Sequence, residues 1–241
     1  MPQDLPAILL TRPRVQADRF AGEIRRRVGV EIGPLLNILI SPLFEIIPRP
    51  FDPPLSQDQI FVFSSENGVH GLTNSCTPTG QTAYCVGDRT AAAAQAAGFT
   101  AISAKGNSAD LIARILADRP SAPITYAHGA TVRVNIAKAL RSQGLNAMNT
   151  VVYDQHPRDL SDPAKTLLCN AANTILPVFS PLTATTLSQQ LPHSTSQLHV
   201  LALSTAVADN WDGPGRVQIC ERPNSNSMLD LIATILTAPA P

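Results

Sequence analysis

The sequence predicts an α/β protein built from two similar parallel-sheet lobes, and three observations carry that prediction. Short apolar runs alternate with amphipathic stretches, the pattern of strands and helices taking turns around a parallel sheet. Residues 61–116 and 177–236 repeat the same landmarks in the same order. Two proline-bearing segments, Ile38 to Arg49 and Asn149 to Asp159, fall about where one structural unit gives way to the next. The repeat runs from Phe63-Ser64-Ser65 against Val178-Phe179-Ser180 to Thr90-Ala91 against Thr205-Ala206, with 25 positions between the serine and the threonine in each copy. It ends on Asp110-Leu111-Ile112-Ala113-Arg114-Ile115-Leu116 against Asp230-Leu231-Ile232-Ala233-Thr234-Ile235-Leu236. A period this long is a whole domain repeated, since solenoid repeats run to roughly 20–50 residues.

Element by element, Ala7 to Leu10 reads as a strand, Thr11-Arg12-Pro13 as its loop, and Val15 to Val28 as a helix. Its terminal Arg25, Arg26 and Arg27 suit the negative end of the helix dipole. Phe61 to Phe63 is a strand, Glu66 to Leu72 a short helix, Ala83 to Val86 a strand, and Arg89 to Ala97 a helix closed by Gly98. Ala101 to Ala104 and Ala109 to Ala117 give another strand and helix. Ile124 to Tyr126, a loop at Ala127-His128-Gly129 and a helix over Val132 to Gln143 restate the amino-terminal unit. Asn107 with Asp110, and Ser227 with Asp230, have the spacing of a cap and its reciprocal acid.

The two proline-bearing segments read as extended connectors. If they lie side by side, the middle of the chain forms one domain and its two ends fold together into the other. A tandem split near residue 120 is the competing arrangement, and the repeat alone does not exclude it.

Composition narrows function. The 241 residues carry 18 basic and 18 acidic side chains, so long-range attraction to nucleic acid or anionic lipid is not expected. Aromatics, at 5%, are too few for the stacking platforms of single-strand binders. The longest apolar stretch, Leu35 to Ile47, is interrupted and short of the roughly 20 residues of a membrane span. Four cysteines form no C-x-x-C pair and the amino terminus has no signal-peptide succession, which points to a reduced, cytoplasmic setting. There is no G-x-G-x-x-G, P-loop, H-E-x-x-H or G-x-S-x-G, and no histidine has ligand-like spacing, so neither a cofactor nor a metal is expected.

What remains is a set of hydroxyl and amide residues at the carboxyl ends of strands, where open α/β sheets bind ligands. Ser64, Ser65 and Asn67 follow one strand, and Asp88 and Thr90 another. Ser180 and Thr183, then Ser204 and Thr205, hold the equivalent places in the second copy. Unpaired N–H groups in the first turn of a helix can hold a carboxylate without a lysine, so a neutral chain could bind a polyanion. Against this, such residues are ordinary helix caps, each worth about 1 kcal/mol. Arg12 and His128 close corresponding loops, with a surface role as plausible as a ligand contact. Tyr153 follows Val151-Val152, where packing is an aromatic residue's default role.

Taken together and in order, these motifs resemble the uroporphyrinogen-III synthase family. Leu9-Leu10-Thr11-Arg12-Pro13 matches its opening strand and Thr-Arg-Pro loop, and Phe61 to Val69 its strand running into Ser-Ser and Asn-Gly-Val. Val86-Gly87-Asp88-Arg89-Thr90-Ala91 is similar to its Val-Gly-x-x-Thr-Ala turn, Gly144 with Val151-Val152-Tyr153 to its Gly and Val-Tyr connector, and Phe179-Ser180-Pro181 to its second Ser-Pro loop. The resemblance implies two flavodoxin-like α/β lobes joined by paired extended strands, with the substrate in the cleft between them. The lobes would be residues 1–37 with 160–241, and residues 50–148, with 38–49 and 149–159 as connector. It implies a monomeric hydro-lyase of tetrapyrrole, porphyrin and heme biosynthesis. Such an enzyme closes hydroxymethylbilane to uroporphyrinogen III with loss of water and inversion of the last pyrrole ring, without metal or organic cofactor. Tyr153 would assist loss of the hydroxyl. Arg12, Ser64, Ser65, Asn67, Thr90, His128, Ser180, Thr183, Ser204 and Thr205 would hold substrate carboxylates. The family's second Gly-x-Thr-Thr-Ala turn is here Ala202-Leu203-Ser204-Thr205-Ala206, which puts the geometry of that turn in question, because alanine tolerates fewer conformations than glycine.

The main rival is a non-catalytic two-lobed sensor that closes on a small anionic ligand. A methyltransferase or dehydrogenase is weaker, given the missing glycine-rich loop, and a DNA-binding regulatory fusion is disfavoured by the neutral chain.

Overall fold

The computed structural model describes residues 5–132, 134–170, 173–192 and 198–237. In chain order these form β1 (Ala7–Leu10), α1 (Arg14–Ile32), β2 (Ile38–Ile40), β3 (Phe44–Pro48), β4 (Ile60–Phe63), α2 (Glu66–Thr73), β5 (Thr82–Cys85), α3 (Asp88–Ala96), β6 (Thr100–Ser103) and α4 (Ser108–Asp118). There follow β7 (Ile124–Gly129), α5 (Ile136–Ser142), β8 (Ala147–Pro157), α6 (Asp162–Asn170), β9 (Thr174–Val178), α7 (Pro181–Gln190), β10 (Leu198–Ala202), α8 (Thr205–Ala208), β11 (Arg216–Ile219) and α9 (Ser225–Thr237). The chain divides into two compact units, one of Met1–Glu45 with Pro157–Pro241 and one of Ile46–His156.

The first unit holds a parallel sheet in the order β11-β10-β9-β1-β2, the second a sheet in the order β3-β8-β7-β4-β5-β6. Counted along the chain, the first reads 2-1-3-4-5, the flavodoxin-like order, whereas β4 to β8 of the second read 3-2-1-4-5. Both are one architecture cut at different points: β1-α1-β2 takes the place in the first unit that β7-α5-β8 takes in the second. A duplicated domain whose second copy is completed by the amino terminus gives this result.

Helices on both faces bury the central strands of each sheet, which is why those strands read as unbroken apolar runs, while the edge strands stay partly or wholly exposed. In the first unit Leu9, Leu176 and Val200 pack on one face, and Ile8, Leu10, Ile175 and Leu201 on the other. In the second, Phe61 and Phe63 pack opposite to Ile60 and Val62. Each such side chain contributes about 1.5–3 kcal/mol on burial.

Three local expectations are corrected. Ala127-His128-Gly129 is strand, not loop: all six residues of β7 are buried and their pairing with β8 outweighs the weak strand propensity of Ala-His-Gly. The helix expected over residues 132–143 is confined to Ile136–Ser142, capped by the Asn135 side chain on the Lys138 N–H (2.9 Å). The two matched helices are capped differently. Asn107 and Asp110 form the expected reciprocal box, but α9 starts earlier than its partner, with Asn224 Oδ1 accepting from the Ser227 N–H (2.9 Å). Asp230 instead pairs with Arg27. Helix α1 is interrupted at Gly29 (φ 87°), so Arg25 to Arg27 occupy the turn before the break, and an Arg25 Nη1–H reaches the carbonyl of Gly33 (2.5 Å).

Of the two proline-bearing segments, the first supplies β2 and then β3, and the second supplies β8. The Arg49 N–H donates to the Val152 carbonyl and the Arg158 N–H to the Leu43 carbonyl, both at 2.8 Å, so β3 runs antiparallel beside β8. Arg49 pairs with Asp154 (2.6 Å) and Arg158 with Glu45 along the same ladder.

Candidate functional site

In a doubly wound sheet the loops diverge where the strand order reverses, and the crevice opens at the carboxyl ends there. In the second unit that point lies between β4 and β7, flanked by Ser64 and Ser65 on one side and by the end of β7 on the other. The structure gathers four of the expected residues around it, together with two that sequence reasoning missed. Ser65 Oγ lies 3.5 Å from the Tyr153 hydroxyl, and Ser64 Oγ 2.8 Å from the hydroxyl of Tyr126. The His128 ring packs against Tyr126 at a tilt of 35°, with centroids 4.5 Å apart. His128 Nδ1 meets the carbonyl of Gly129 at 2.6 Å, so it carries the proton, and Nε2 is buried with no hydrogen-bond partner among the described residues.

Tyr153 is aimed by its strand. The register of β7 on β8 slips between His128, opposite Val151, and Gly129, opposite Tyr153, so a bulge turns the tyrosine onto Gly129. A methyl group on Gly129 would lie 2.5 Å from Tyr153 Cζ. Only a glycine leaves room for this ring. Helix α2 comes equally close, because a Cβ on Gly68 would meet the Ala127 carbonyl oxygen at 2.7 Å and one on Gly71 the Val152 oxygen at 2.5 Å.

Ser65 is also the cap of α2, with a long bond of 3.4 Å from the Gly68 N–H. Asn67 lies half-buried in the same first turn. Thr90 is buried in the first turn of α3, one strand away. Tyr126 is 2% exposed. Burial raises its phenol pKa and the charge of Tyr153 adds to this, while the bond to Ser64 acts the other way.

The first unit repeats the arrangement between β9 and β1. Ser180 caps α7, accepting from the Thr183 N–H (3.1 Å) and meeting the Thr183 hydroxyl at 2.8 Å. The Arg12 guanidinium lies over the Phe179 ring, 4.1 Å from its centroid, and 5.8 Å from that of Phe20. Ser204 and Thr205 lie one strand away at the start of α8, the serine half-buried and the threonine exposed. The matched spacing of Thr90 and Thr205 does not survive in three dimensions. Val86 and Leu203 make the same backbone bond, to Phe63 and Val178, so Gly87 corresponds to Ser204, and each precedes its helix. Thr90 therefore sits deeper in its helix than Thr205. Gly87 is extended (φ −152°), a conformation open to any residue, and Ala202 is the last residue of a buried strand. The alanine that stood out in the sequence costs the turn nothing.

Among the described residues no group of three or more His, Cys, Asp or Glu could hold a metal ion, and no helix is long and apolar enough to cross a membrane.

Residues 33–230 match the family model described as uroporphyrinogen-III synthase HemD. The chain belongs to the uroporphyrinogen-III synthase family. Among solved structures, uroporphyrinogen-III synthetase from Helicobacter pylori 26695 is 16% identical, covers 96% of this chain and all of its own, and superposes with a TM-score of 0.62, which shows the shared fold. A mutant uroporphyrinogen III synthase from the extremely thermophilic bacterium Thermus thermophilus is 14% identical over 95% of this chain and 98% of its own, with a TM-score of 0.48. Comparison with curated proteins gives no match. The synthase is thus a hydro-lyase of tetrapyrrole biosynthesis, acting on hydroxymethylbilane.

Proposed function

We propose that this synthase works through its two switch-point rims, which hold the acetates and propionates of hydroxymethylbilane while the last ring inverts. Ser64, Ser65, Asn67, Thr90 and His128 serve on one unit, and Arg12, Ser180, Thr183, Ser204 and Thr205 on the other. Helix amino termini add unpaired N–H groups on the positive end of the dipole, which suits a neutral chain binding a polyanion. The connector is residues 38–49 with 149–159, the lobes are 1–37 with 160–241 and 50–148, and the enzyme acts as a cytoplasmic monomer.

Tyr153 supplies the chemistry at the leaving group. Its phenol hydrogen-bonds the departing hydroxyl, which takes up a proton and leaves as water. The terminal pyrrole then bonds to the methylene carbon so exposed, and the proton it releases balances the one carried off in the water. Water is lost and no electron is transferred overall, so nothing in the step calls for a redox partner. The observation that carries this reading is the bulge that lays Tyr153 across Gly129 at the switch point. Positioning does much of the rest, because the linear substrate closes in the wrong sense unless its last ring is held.

Tyr153→Phe tests it. Formation of the type III isomer should slow by about 100-fold with the melting temperature and KM little changed. Turnover equal to wild type would remove the proposed role. Size-exclusion chromatography with light scattering checks the monomer.

A further inference from the structure

The two switch points differ in a concerted way. Pairing of β4 with β7 and of β9 with β1 places Tyr126 where the first unit has Leu10, because Ile60 faces Ile124 as Ile175 faces Ile8. The serines of the repeat place Ser64 where the first unit has Phe179. A hydroxyl pair in one unit thus stands where the other has two apolar side chains, and both members have changed together.

The chemistry of the pair has a direction. The Tyr126 hydroxyl has Ser64 Oγ as its one hydrogen-bond partner among the described residues. Either hydroxyl of the pair can donate. The phenol is buried with no other acceptor among the described residues, whereas Ser64 is half-buried, so the donor role is assigned to Tyr126 and the acceptor role to Ser64 Oγ. The serine's own proton is then not needed inward, and Ser64 is half-buried, with a side open to solvent. A hydroxyl that accepts from a buried donor becomes a stronger donor itself.

We propose that Tyr126 is a positioning residue that orients Ser64 as a hydrogen-bond donor to a carboxylate of the bound tetrapyrrole. The relay runs from phenol to serine to carboxylate, and the tyrosine itself does not touch the substrate. It rests on the proposed function above and adds a residue to it. His128 supports the arrangement by packing at a tilt of 35° against the Tyr126 ring, which holds that ring in place. In the first unit the Phe179 ring serves Arg12 instead, so a carboxylate there meets a cation and needs no polarised serine.

The test measures steady-state kinetics with hydroxymethylbilane and fluorescence titration with uroporphyrin III on wild type, Tyr126→Phe, Ser64→Ala, the double variant and Ser64→Thr. Removing the phenol oxygen should raise KM and the uroporphyrin Kd by about tenfold with kcat within twofold. Ser64→Ala should do the same, the double variant should be no worse than Ser64→Ala, and Ser64→Thr should recover most of the affinity. The inference is overturned by wild-type affinity in Tyr126→Phe, by effects that multiply in the double variant, or by a fall in kcat alone. Loss of folded structure in Tyr126→Phe with wild-type affinity in Ser64→Ala also overturns it. A wild-type protein that neither binds uroporphyrin nor turns over hydroxymethylbilane would instead sink the proposed function, and this inference with it.

Discussion

The two units share one sheet order, yet their switch points are furnished with different chemistry. The second unit presents hydroxyls on a rigid aromatic base: Ser64 on Tyr126, Ser65 beside Tyr153, with His128 against the stack. The first presents a cation on an aromatic base, Arg12 on Phe179 and Phe20, beside Ser180, which caps α7 as Ser65 caps α2. On the proposed reading, duplication supplied two equivalent crevices that both hold carboxylates, one through a cation and the other through hydroxyls set beside Tyr153. The difference teaches that the strand-to-loop junction, not the loop as such, decides the chemistry. Tyr126, His128 and Tyr153 are all strand residues.

The largest expected break in that comparison is at Gly129. Alanine there puts a methyl group 2.5 Å from Tyr153 Cζ, so the ring must leave its seat. Gly129→Ala should lower kcat by about 100-fold, as the loss of the phenol itself would, and a crystal structure of the variant should show Tyr153 rotated. Wild-type kcat would mean that the seat has no bearing on turnover.

A smaller effect follows from stripping the first unit of its aromatic platform. Phe179→Leu keeps apolar volume but removes the ring under Arg12, worth about 0.5–2 kcal/mol of cation–π attraction. KM should rise by about twofold to thirtyfold, with kcat unchanged. If kcat falls instead, the division of labour between the units is wrong.

The smallest effect is on pH-dependent stability and touches both cores alike. Burial pushes the Cys85 thiol up to about 12 and the Cys220 thiol up to about 11. A thiol whose pKa is raised by folding stabilises fully below its unfolded value, and that contribution is lost as pH rises from roughly 8.5 towards the folded values. Melting temperature should therefore fall as pH rises from 8.5 to 11, and both thiols should resist alkylation at pH 8 in the native protein. Rapid labelling of either would show that its burial is not maintained in solution.

Much of the fold was legible in the sequence because burial on both faces leaves a plain trace. The runs at Ile8-Leu9-Leu10 and Phe61-Val62-Phe63 are apolar throughout, and the repeat announces the second sheet. The end of β7 was not legible, since Ala127-His128-Gly129 has the composition of a loop and becomes strand only by pairing with β8. The bulge at Tyr153 left no sequence signal either, as it depends on how two distant segments come into register. Tyr126 could have been found. Aligning the copies from Ser65 and Ser180 sets Ser64 against Phe179, and a serine ending an apolar strand invites a search for its partner. The threonines at 90 and 205 misled for the opposite reason: equal spacing in sequence hid a two-residue difference in strand and turn, which the backbone bonds of Val86 and Leu203 expose.

The central claim is that the chain closes hydroxymethylbilane with inversion of the last ring. It is tested most directly by supplying hydroxymethylbilane to the purified protein and resolving the type I and type III isomers after oxidation to the porphyrins. The type III isomer should dominate at catalytic protein concentrations. A product mixture of type I alone, formed at the rate seen without protein, would contradict the account.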